Sequence, residues 1–345
     1  MAIKVGINGF GRIGRQVLRI ALSNKDIEVV AINDIADLKT CSQLLKYDSI
    51  FGVLNADIDL LDDGISIDGK KVRFFSEMSP SDIKWTDEKC DIVIESTGIF
   101  TTQEKASMHL GGTVKKVVIS APASGDVDLT TVMGANDSLY NNEKHNIISN
   151  ASCTTNCLAM IVKVLRDSFG LQSGHMTTVH SYTNDQRIVD SPHKDLRRAR
   201  AGGLSMIPTS TGATKAIEVI FPELKGNLSA ISIRVPTPNV SMAILMLELK
   251  KDATREEVNE VFRQIASGQS SSGMQKQIDF STSNEVCSSD MVGSRHACII
   301  DSPKTICSGK RCNLYVWYDN EFGYSCQVVR CIQRMSGIKF ARFPQ

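Results

Sequence analysis

A chain of 345 residues with 42% hydrophobic and 22% charged side chains and a formal net charge of +1 is long enough for two domains with substantial cores. The near-neutral balance excludes both a disordered acidic chain and a strongly basic nucleic-acid binder. The N-terminal M-A-I-K-V-G-I-N-G-F-G lacks the apolar core of a signal peptide, and no stretch approaches the roughly 18 apolar residues of a membrane span. A cytoplasmic protein with no membrane partner is expected. The ten cysteines are scattered at no metal-binding spacing, so no metal site is expected and most are read as reduced, small buried residues.

Ile3 to Asn8 reads as an apolar strand that runs into G-F-G-R-I-G (Gly9, Gly11, Gly14) and then into an amphipathic stretch, Arg15 to Leu22. A second apolar run, Glu28 to Asn33, ends at Asp34. Strand, glycine turn, helix, strand and acidic residue together form the dinucleotide fingerprint. Gly9 allows the tight turn, Gly11 lets backbone approach the pyrophosphate, and Gly14 lets helix pack on strand. The helix N-terminus offers its amides and positive dipole to the phosphates. Asp34 accepts from ribose hydroxyls and repels a 2′-phosphate, which favours NAD over NADP.

The segment Asp57 to Phe75, with D-D-G and D-G-K turns, reads as an antiparallel excursion. Apolar runs at Asp91 to Glu95, ending in S-T-G, and at Lys116 to Ser120 continue an α/β doubly wound pattern. Thr97, Gly98 and Ser120 thus fall at carboxyl ends of strands, where cofactors bind.

In S-N-A-S-C-T-T-N-C (149 to 157), Ser152, Cys153 and Thr154 fall at the mouth of a helix whose periodicity runs from Leu158 to Phe169. The dipole there favours a thiolate, and a nearby imidazolium would favour it further. Cys157, one turn deeper, reads as packing. The strand His175 to His180 ends in a histidine that qualifies as the partner of Cys153; the sequence leaves a plain core histidine equally open. His109, His145, His193 and His296 have no such setting. P-T-S-T-G-A (208 to 213), opening a helix at Thr214, and Arg234 before V-P-T-P suggest an anion, and a sugar phosphate would fit. The basic run Lys194 to Arg200 has no interleaved aromatics, so a solvated or subunit-facing loop is the reading and no nucleic acid is expected.

S-N-A-S-C-T-T-N-C, N-G-F-G-R-I-G-R, H-S-Y-T-N-D-Q, R-V-P-T-P-N-V-S and W-Y-D-N-E-F-G-Y-S resemble, in order and separation from about Ile3 to Met335, the phosphorylating glyceraldehyde-3-phosphate dehydrogenases, in their NAD-dependent, bacterial-like form. The resemblance implies an N-terminal Rossmann domain over 1–151, a mixed-sheet α+β catalytic domain over 152–320, and a C-terminal helix at about 321–335 that returns to the first domain. It implies a glycolytic oxidoreductase that makes 1,3-bisphosphoglycerate from glyceraldehyde 3-phosphate and inorganic phosphate through a cysteine thioester. It also implies a homotetramer with the loop from His180 to Ser205 at a subunit interface.

By resemblance Cys153 is the nucleophile and His180 its base. Ser152, Thr154, Thr183, Thr211, Gly212 and Arg234 match the positions that hold the two phosphates. Arg12, Ile13, Asp34, Ser120 and Asn320 match cofactor contacts, Asn320 to the nicotinamide carboxamide. Met78 stands in Glu77-Met78-Ser79-Pro80 where many members have Glu-Arg-Asp-Pro, at a contact made by backbone. Two readings stay beside this one: an erythrose-4-phosphate dehydrogenase, whose acyl acceptor is water, and a redox-sensing or binding protein on the same fold.

Overall fold

Apolar runs that each end in a polar residue build the first sheet: IKVGIN (Ile3–Asn8), IEVVAIN (Ile27–Asn33) and IVIE (Ile92–Glu95). In these strands nearly every side chain is buried, as in parallel strands covered on both faces. The computed structural model describes residues 2–269, 274 and 277–338. The chain divides into one unit of Met1–Thr131, Asn136–Ala151 and Ser325–Gln345 and a second of Val132–Ala135 and Ser152–Tyr324.

The first unit carries a nine-stranded sheet. Its order is Leu129–Thr130, Ile147–Ser149, Lys116–Ile119, Ile92–Glu95, Ile3–Asn8, Ile27–Asn33, Lys70–Phe75, Gly64–Ile67 and Ile58–Leu61. The first seven strands are parallel to one another, while Ile58–Leu61, Gly64–Ile67 and Lys70–Phe75 pair antiparallel in sequence. The excursion expected between Asp57 and Phe75 is therefore present, and its last strand joins the parallel sheet beside Ile27–Asn33. The helix Arg12–Leu22 follows the glycine turn directly and starts one turn earlier than its amphipathic stretch suggests. From Ser325 onward the C-terminal helix Phe322–Met335 belongs to this unit. Its end is fastened by Arg334 Nη2 donating to the Asp137 carbonyl at 3.2 Å and by the Tyr140 hydroxyl donating to the Met335 carbonyl at 3.3 Å.

The second unit is built on a mixed eight-stranded sheet. Its order is Ile207–Thr209, Leu228–Val235, Leu171–Ser181, Ser241–Leu249, Arg311–Tyr318, Cys298–Asp301 and Ile278–Ser281, and Ile306–Ser308 also pairs with Arg311–Tyr318. The helix Cys153–Phe169 packs on four of these strands and on the helices Ala213–Ile220 and Arg255–Ala266. Residues Thr154 to Val162 of that helix are all buried, the mark of a helix in the middle of a core. It stops at Gly170, whose φ of 71° few other residues tolerate. The strand Leu228–Val235 lies parallel to Leu171–Ser181 in a register that sets Arg234 directly opposite His180.

Candidate active site

In the first unit the three glycines have distinct surroundings. Gly9 has φ 91°, and a Cβ there would meet the Thr97 backbone nitrogen at 2.6 Å. A Cβ on Gly14 would collide with the Gly9 carbonyl oxygen. At Gly11 a Cβ would meet nothing within 4 Å: that backbone is open on its outer side, and Gly11, the N-cap of the helix, has no side chain with which to cap the first amides. An open, uncapped helix mouth of this kind fits a pyrophosphate.

Asp34 stands at the end of its strand and accepts from the Phe10 amide at 2.6 Å and the Ala36 amide at 2.9 Å. Its carboxylate thus holds the glycine turn. Arg12 pairs with Asp48 at 2.7 Å and lies over the Phe51 ring, so what it offers at the helix mouth is backbone. Ile13 follows it in the first turn. Met78 is 83% exposed. Gly98 has φ 72°, and the Ser120 amide and hydroxyl donate to the Glu95 carbonyl at 2.9 and 3.2 Å.

Sequence reasoning missed the buried network beneath these residues. Glu95 accepts from Asn8 Nδ2 at 2.6 Å, from the Thr97 amide at 2.8 Å and from the Thr97 hydroxyl. Asn33 donates to Asn8 Oδ1 at 2.8 Å and receives the Glu77 amide at 2.8 Å. His109 Nδ1 lies 3.1 Å from the Trp85 indole N–H, which can only donate, so the ring proton is assigned to Nε2, which donates to Glu95 at 3.0 Å. The network ties together three strand ends and the loops that leave them. Its sequence signal was the polar residue closing each apolar run. A cavity of about 590 Å³ at the opposite ends of these strands, lined by Ile3, Asp91, Lys116, Tyr140 and Arg334 among others, contains none of the expected site residues.

In the second unit Ser152 is the N-cap of the helix Cys153–Phe169, its hydroxyl accepting from the Thr155 amide at 3.1 Å. Cys153 is therefore the first helical residue, five positions earlier than the periodicity from Leu158 alone would start the helix. The residue before the cap, Ala151, is held at φ 53°, an uncommon conformation for alanine that costs about 1 kcal/mol or more. Cys153 Sγ lies 3.6 Å from His180 Nε2. His180 Nδ1 lies 2.7 Å from the Ser181 carbonyl; a carbonyl only accepts, so the ring proton is assigned to Nδ1 and the lone pair of Nε2 faces the sulfur. Arg234 Nη1 sits 3.0 Å from Nδ1, 3.1 Å from the same carbonyl and 3.5 Å from the Thr183 hydroxyl. Arg234 Nε and Gln186 Nε2 are buried donors without a hydrogen-bond partner, as donors awaiting an anion would be.

The electrostatics differ from those expected of an isolated helix mouth. Burial pushes the Cys153 thiol up, against the Thr154 hydroxyl and the Arg234 charge, which pull it down. Burial and the Arg234 charge push His180 down to about 3. The free protein thus holds a neutral thiol against a neutral imidazole. Burial is the largest of these influences on the thiol. Cys157 is completely buried and pushed further up, first by burial and then by Cys298, in keeping with a packing role.

The remaining expected residues have partners of their own. The Thr154 hydroxyl turns inward to the Tyr318 hydroxyl at 3.0 Å. Thr211 accepts from the Ala213 amide at 3.3 Å and Gly212 is the N-cap of the helix Ala213–Ile220. Asn320 is joined to the His180 strand through one hydroxyl: the Ser181 amide donates to Ser241 Oγ at 3.1 Å, which donates to Asn320 Oδ1 at 2.9 Å. Its neighbour Val240 has φ 67°, rare for a β-branched residue, and its carbonyl receives the Ser181 hydroxyl at 2.9 Å. Tyr318 was not anticipated. Its hydroxyl also meets Thr178 at 2.6 Å, and its ring packs edge-on to His180 with centroids 6.0 Å apart. A tyrosine on the buried face of a strand needs such a partner, but the sequence does not say which.

The basic run is largely neutralised within its own loop: Arg198 pairs with Asp185 and, at 3.3 Å, with Asp195, and Arg200 pairs with Asp190 at 2.8 Å. No helix among the described residues is long and apolar enough to cross a membrane.

Two family descriptions match the chain: "Glyceraldehyde 3-phosphate dehydrogenase, NAD binding domain" over residues 3–103 and "Glyceraldehyde 3-phosphate dehydrogenase, C-terminal domain" over residues 152–320. The glyceraldehyde-3-phosphate dehydrogenase 1 of Bacillus cereus is 51% identical over 94% of this chain and 96% of its own. The enzyme of that name from Geobacillus stearothermophilus is 51% identical over 95% and 97%, and that of Streptomyces coelicolor 50% over the same shares. With the dinucleotide turn in one unit and the cysteine–histidine pair in the other, the chain belongs to the glyceraldehyde 3-phosphate dehydrogenase family.

Proposed function

We propose that the protein oxidises D-glyceraldehyde 3-phosphate to 1,3-bisphosphoglycerate with NAD and inorganic phosphate. The observation that carries this reading is the 3.6 Å approach of Cys153 Sγ to the lone-pair nitrogen of His180 beside Arg234. Because both groups are neutral at rest, His180 takes the thiol proton as the sulfur attacks the aldehyde carbon, and it returns that proton to the carbonyl oxygen. The hemithioacetal on Cys153 then loses its hydroxyl proton to His180 and its carbon-bound hydrogen as hydride, leaving a thioester. NAD, when bound, supplies the hydride acceptor, held by the turn Gly9 to Gly14, Asp34, Thr97, Gly98, Ser120 and Asn320. A phosphate oxygen then attacks the thioester carbon, the C–S bond breaks, and the leaving sulfur recovers the proton from His180.

Arg234 and Thr183 are placed to hold one phosphate, with Arg234 Nε as a ready donor. Ser152, Thr211 and Gly212 are assigned to the other. Thr154 is assigned here through its backbone, since its hydroxyl serves Tyr318. NADH formation should require inorganic phosphate and glyceraldehyde 3-phosphate together. Faster turnover of erythrose 4-phosphate, with no gain on adding phosphate, would replace this reading by the erythrose-4-phosphate dehydrogenase.

The loop after His180 exposes Ile188, Val189, Leu196, Leu204 and Met206, each at least 69%. Five bare apolar side chains on one loop call for a covering surface, which supports a homotetramer with this loop at a subunit interface. Sedimentation equilibrium should give four times the 37.8 kDa of the chain; a monomer at micromolar concentration would remove this proposal.

A further inference from the structure

Most thiols outside the Cys153–His180 pair are sealed in the core, and burial pushes Cys41 up to about 11 and Cys90 and Cys331 up to about 12. Cys307 and Cys312 differ. They lie on the hairpin formed by Ile306–Ser308 and Arg311–Tyr318, joined by Gly309 and Lys310 with Gly309 at φ 59°. The register pairs Ser308 with Arg311 and Cys307 with Cys312. A two-residue turn makes its flanking residues the hydrogen-bonded pair, so the next pair along is the non-hydrogen-bonded one, with Cα atoms roughly 4.5 Å apart and side chains at their closest. That spacing lies inside the range disulfides span.

The two sulfurs are 3.0 Å apart. Cys312 is fully buried, whereas Cys307 is partly exposed. The hydrogen bond with Cys312 lowers the Cys307 thiol, against burial and the Glu256 charge, with Arg255 adding to the lowering. A partly exposed thiol in contact with a second, resolving thiol is the arrangement that peroxide oxidises to a disulfide. The strand Ile306–Ser308 is three residues long and, among the described residues, pairs with Arg311–Tyr318; closing the bond to about 2.05 Å needs the sulfurs to approach by roughly 1 Å.

We propose that Cys307 and Cys312 form a reversible dithiol–disulfide couple, an oxidation site separate from Cys153 whose oxidant is hydrogen peroxide. The Cys307 thiolate attacks one peroxide oxygen, the O–O bond breaks, and the departing hydroxide takes a proton, leaving a sulfenic acid and water. Cys312 sulfur then attacks the Cys307 sulfur, the S–O bond breaks, and the oxygen leaves as a second water carrying the Cys312 proton. Two thiols and one peroxide give one disulfide and two waters, the two electrons passing from sulfur to oxygen. A dithiol reductant reverses the step.

The test treats the intact wild-type protein with graded hydrogen peroxide, blocks remaining thiols with N-ethylmaleimide, and maps tryptic peptides by mass spectrometry. Cleavage after Lys304, Lys310, Arg311 and Arg330 puts the two cysteines on separate peptides, 305–310 and 312–330. The expected product is these two joined through Cys307 and Cys312, with Cys326 of the longer peptide carrying N-ethylmaleimide, two hydrogens lighter than the sum of 305–310 and the singly alkylated 312–330 and separated again by dithiothreitol. Cys307→Ser and Cys312→Ser should each abolish it, and in Cys312→Ser the remaining Cys307 should accumulate as sulfinic acid. The proposal is overturned if both cysteines stay fully alkylated at peroxide concentrations that fully oxidise Cys153. It is equally overturned if wild-type Cys307 appears only as sulfinic acid or joined to another cysteine.

Discussion

Cys153→Ser protein is expected to lose NADH formation from glyceraldehyde 3-phosphate by on the order of 10⁴-fold or more, the scale seen when a nucleophile is removed from a site whose groups act as a unit. Serine preserves the helix start and its contacts, so NAD affinity should stay within about threefold. The loss follows from chemistry rather than fold: at neutral pH the hydroxyl of serine is a far weaker nucleophile than a thiol assisted by imidazole. Iodoacetamide should label one cysteine of this helix in the wild type and none in the variant, because Cys157 is completely buried while Cys153 is partly exposed. Retained turnover, or equal labelling of Cys153 and Cys157, would contradict the assignment.

His180→Asn should lower kcat by about 10²- to 10⁴-fold, the usual worth of a general base, since asparagine has no lone-pair nitrogen to take the Cys153 proton. The variant also tests the electrostatics. The unfolded chain binds a proton on this histidine near pH 6.5, whereas the folded one waits until about 3. Between these values the unfolded state holds more protons, so stability present above pH 6.5 is lost progressively as pH falls toward 3. By pH 5 the loss reaches about 2 kcal/mol at roughly 1.4 kcal/mol per pH unit. Thermal unfolding of the wild type should therefore fall more steeply between pH 7 and 5 than that of His180→Asn. Parallel slopes would show that His180 is not held neutral by its surroundings.

The first unit was more legible than the second, for a physical reason. Gly9, Gly11, Gly14 and Asp34 act through local backbone geometry, and their spacing fixes what each does once strand, turn and helix form. The buried network of Asn8, Asn33, Glu95 and His109 was hidden because its members come from different strands and a distant helix–loop segment. The polar residue at the end of each strand gave only a hint. His109, passed over as lacking a setting, has one made wholly of residues remote in sequence.

In the second unit the helix mouth at Ser152 and Cys153 was readable, and so was a histidine at a strand end. That these meet is decided by the packing of the helix Cys153–Phe169 on the strand Leu171–Ser181, and that Arg234 joins them is decided by a parallel register with a strand 54 residues further on. Tyr318 reaches the same place from 164 residues beyond Thr154 and takes over a hydroxyl otherwise assigned to phosphate.

By itself, then, the sequence determined the alternation of strands and helices, the dinucleotide turn and the family, and it singled out Cys153 as the proposed nucleophile, all of which rest on local periodicity and on ordered motifs. Only the tertiary structure decided the partners and charge states of the site. Burial depends on every element that covers a residue, and it is burial, with Arg234 opposite His180, that pushes the Cys153 thiol up and the His180 ring down where a helix mouth alone would favour a thiolate.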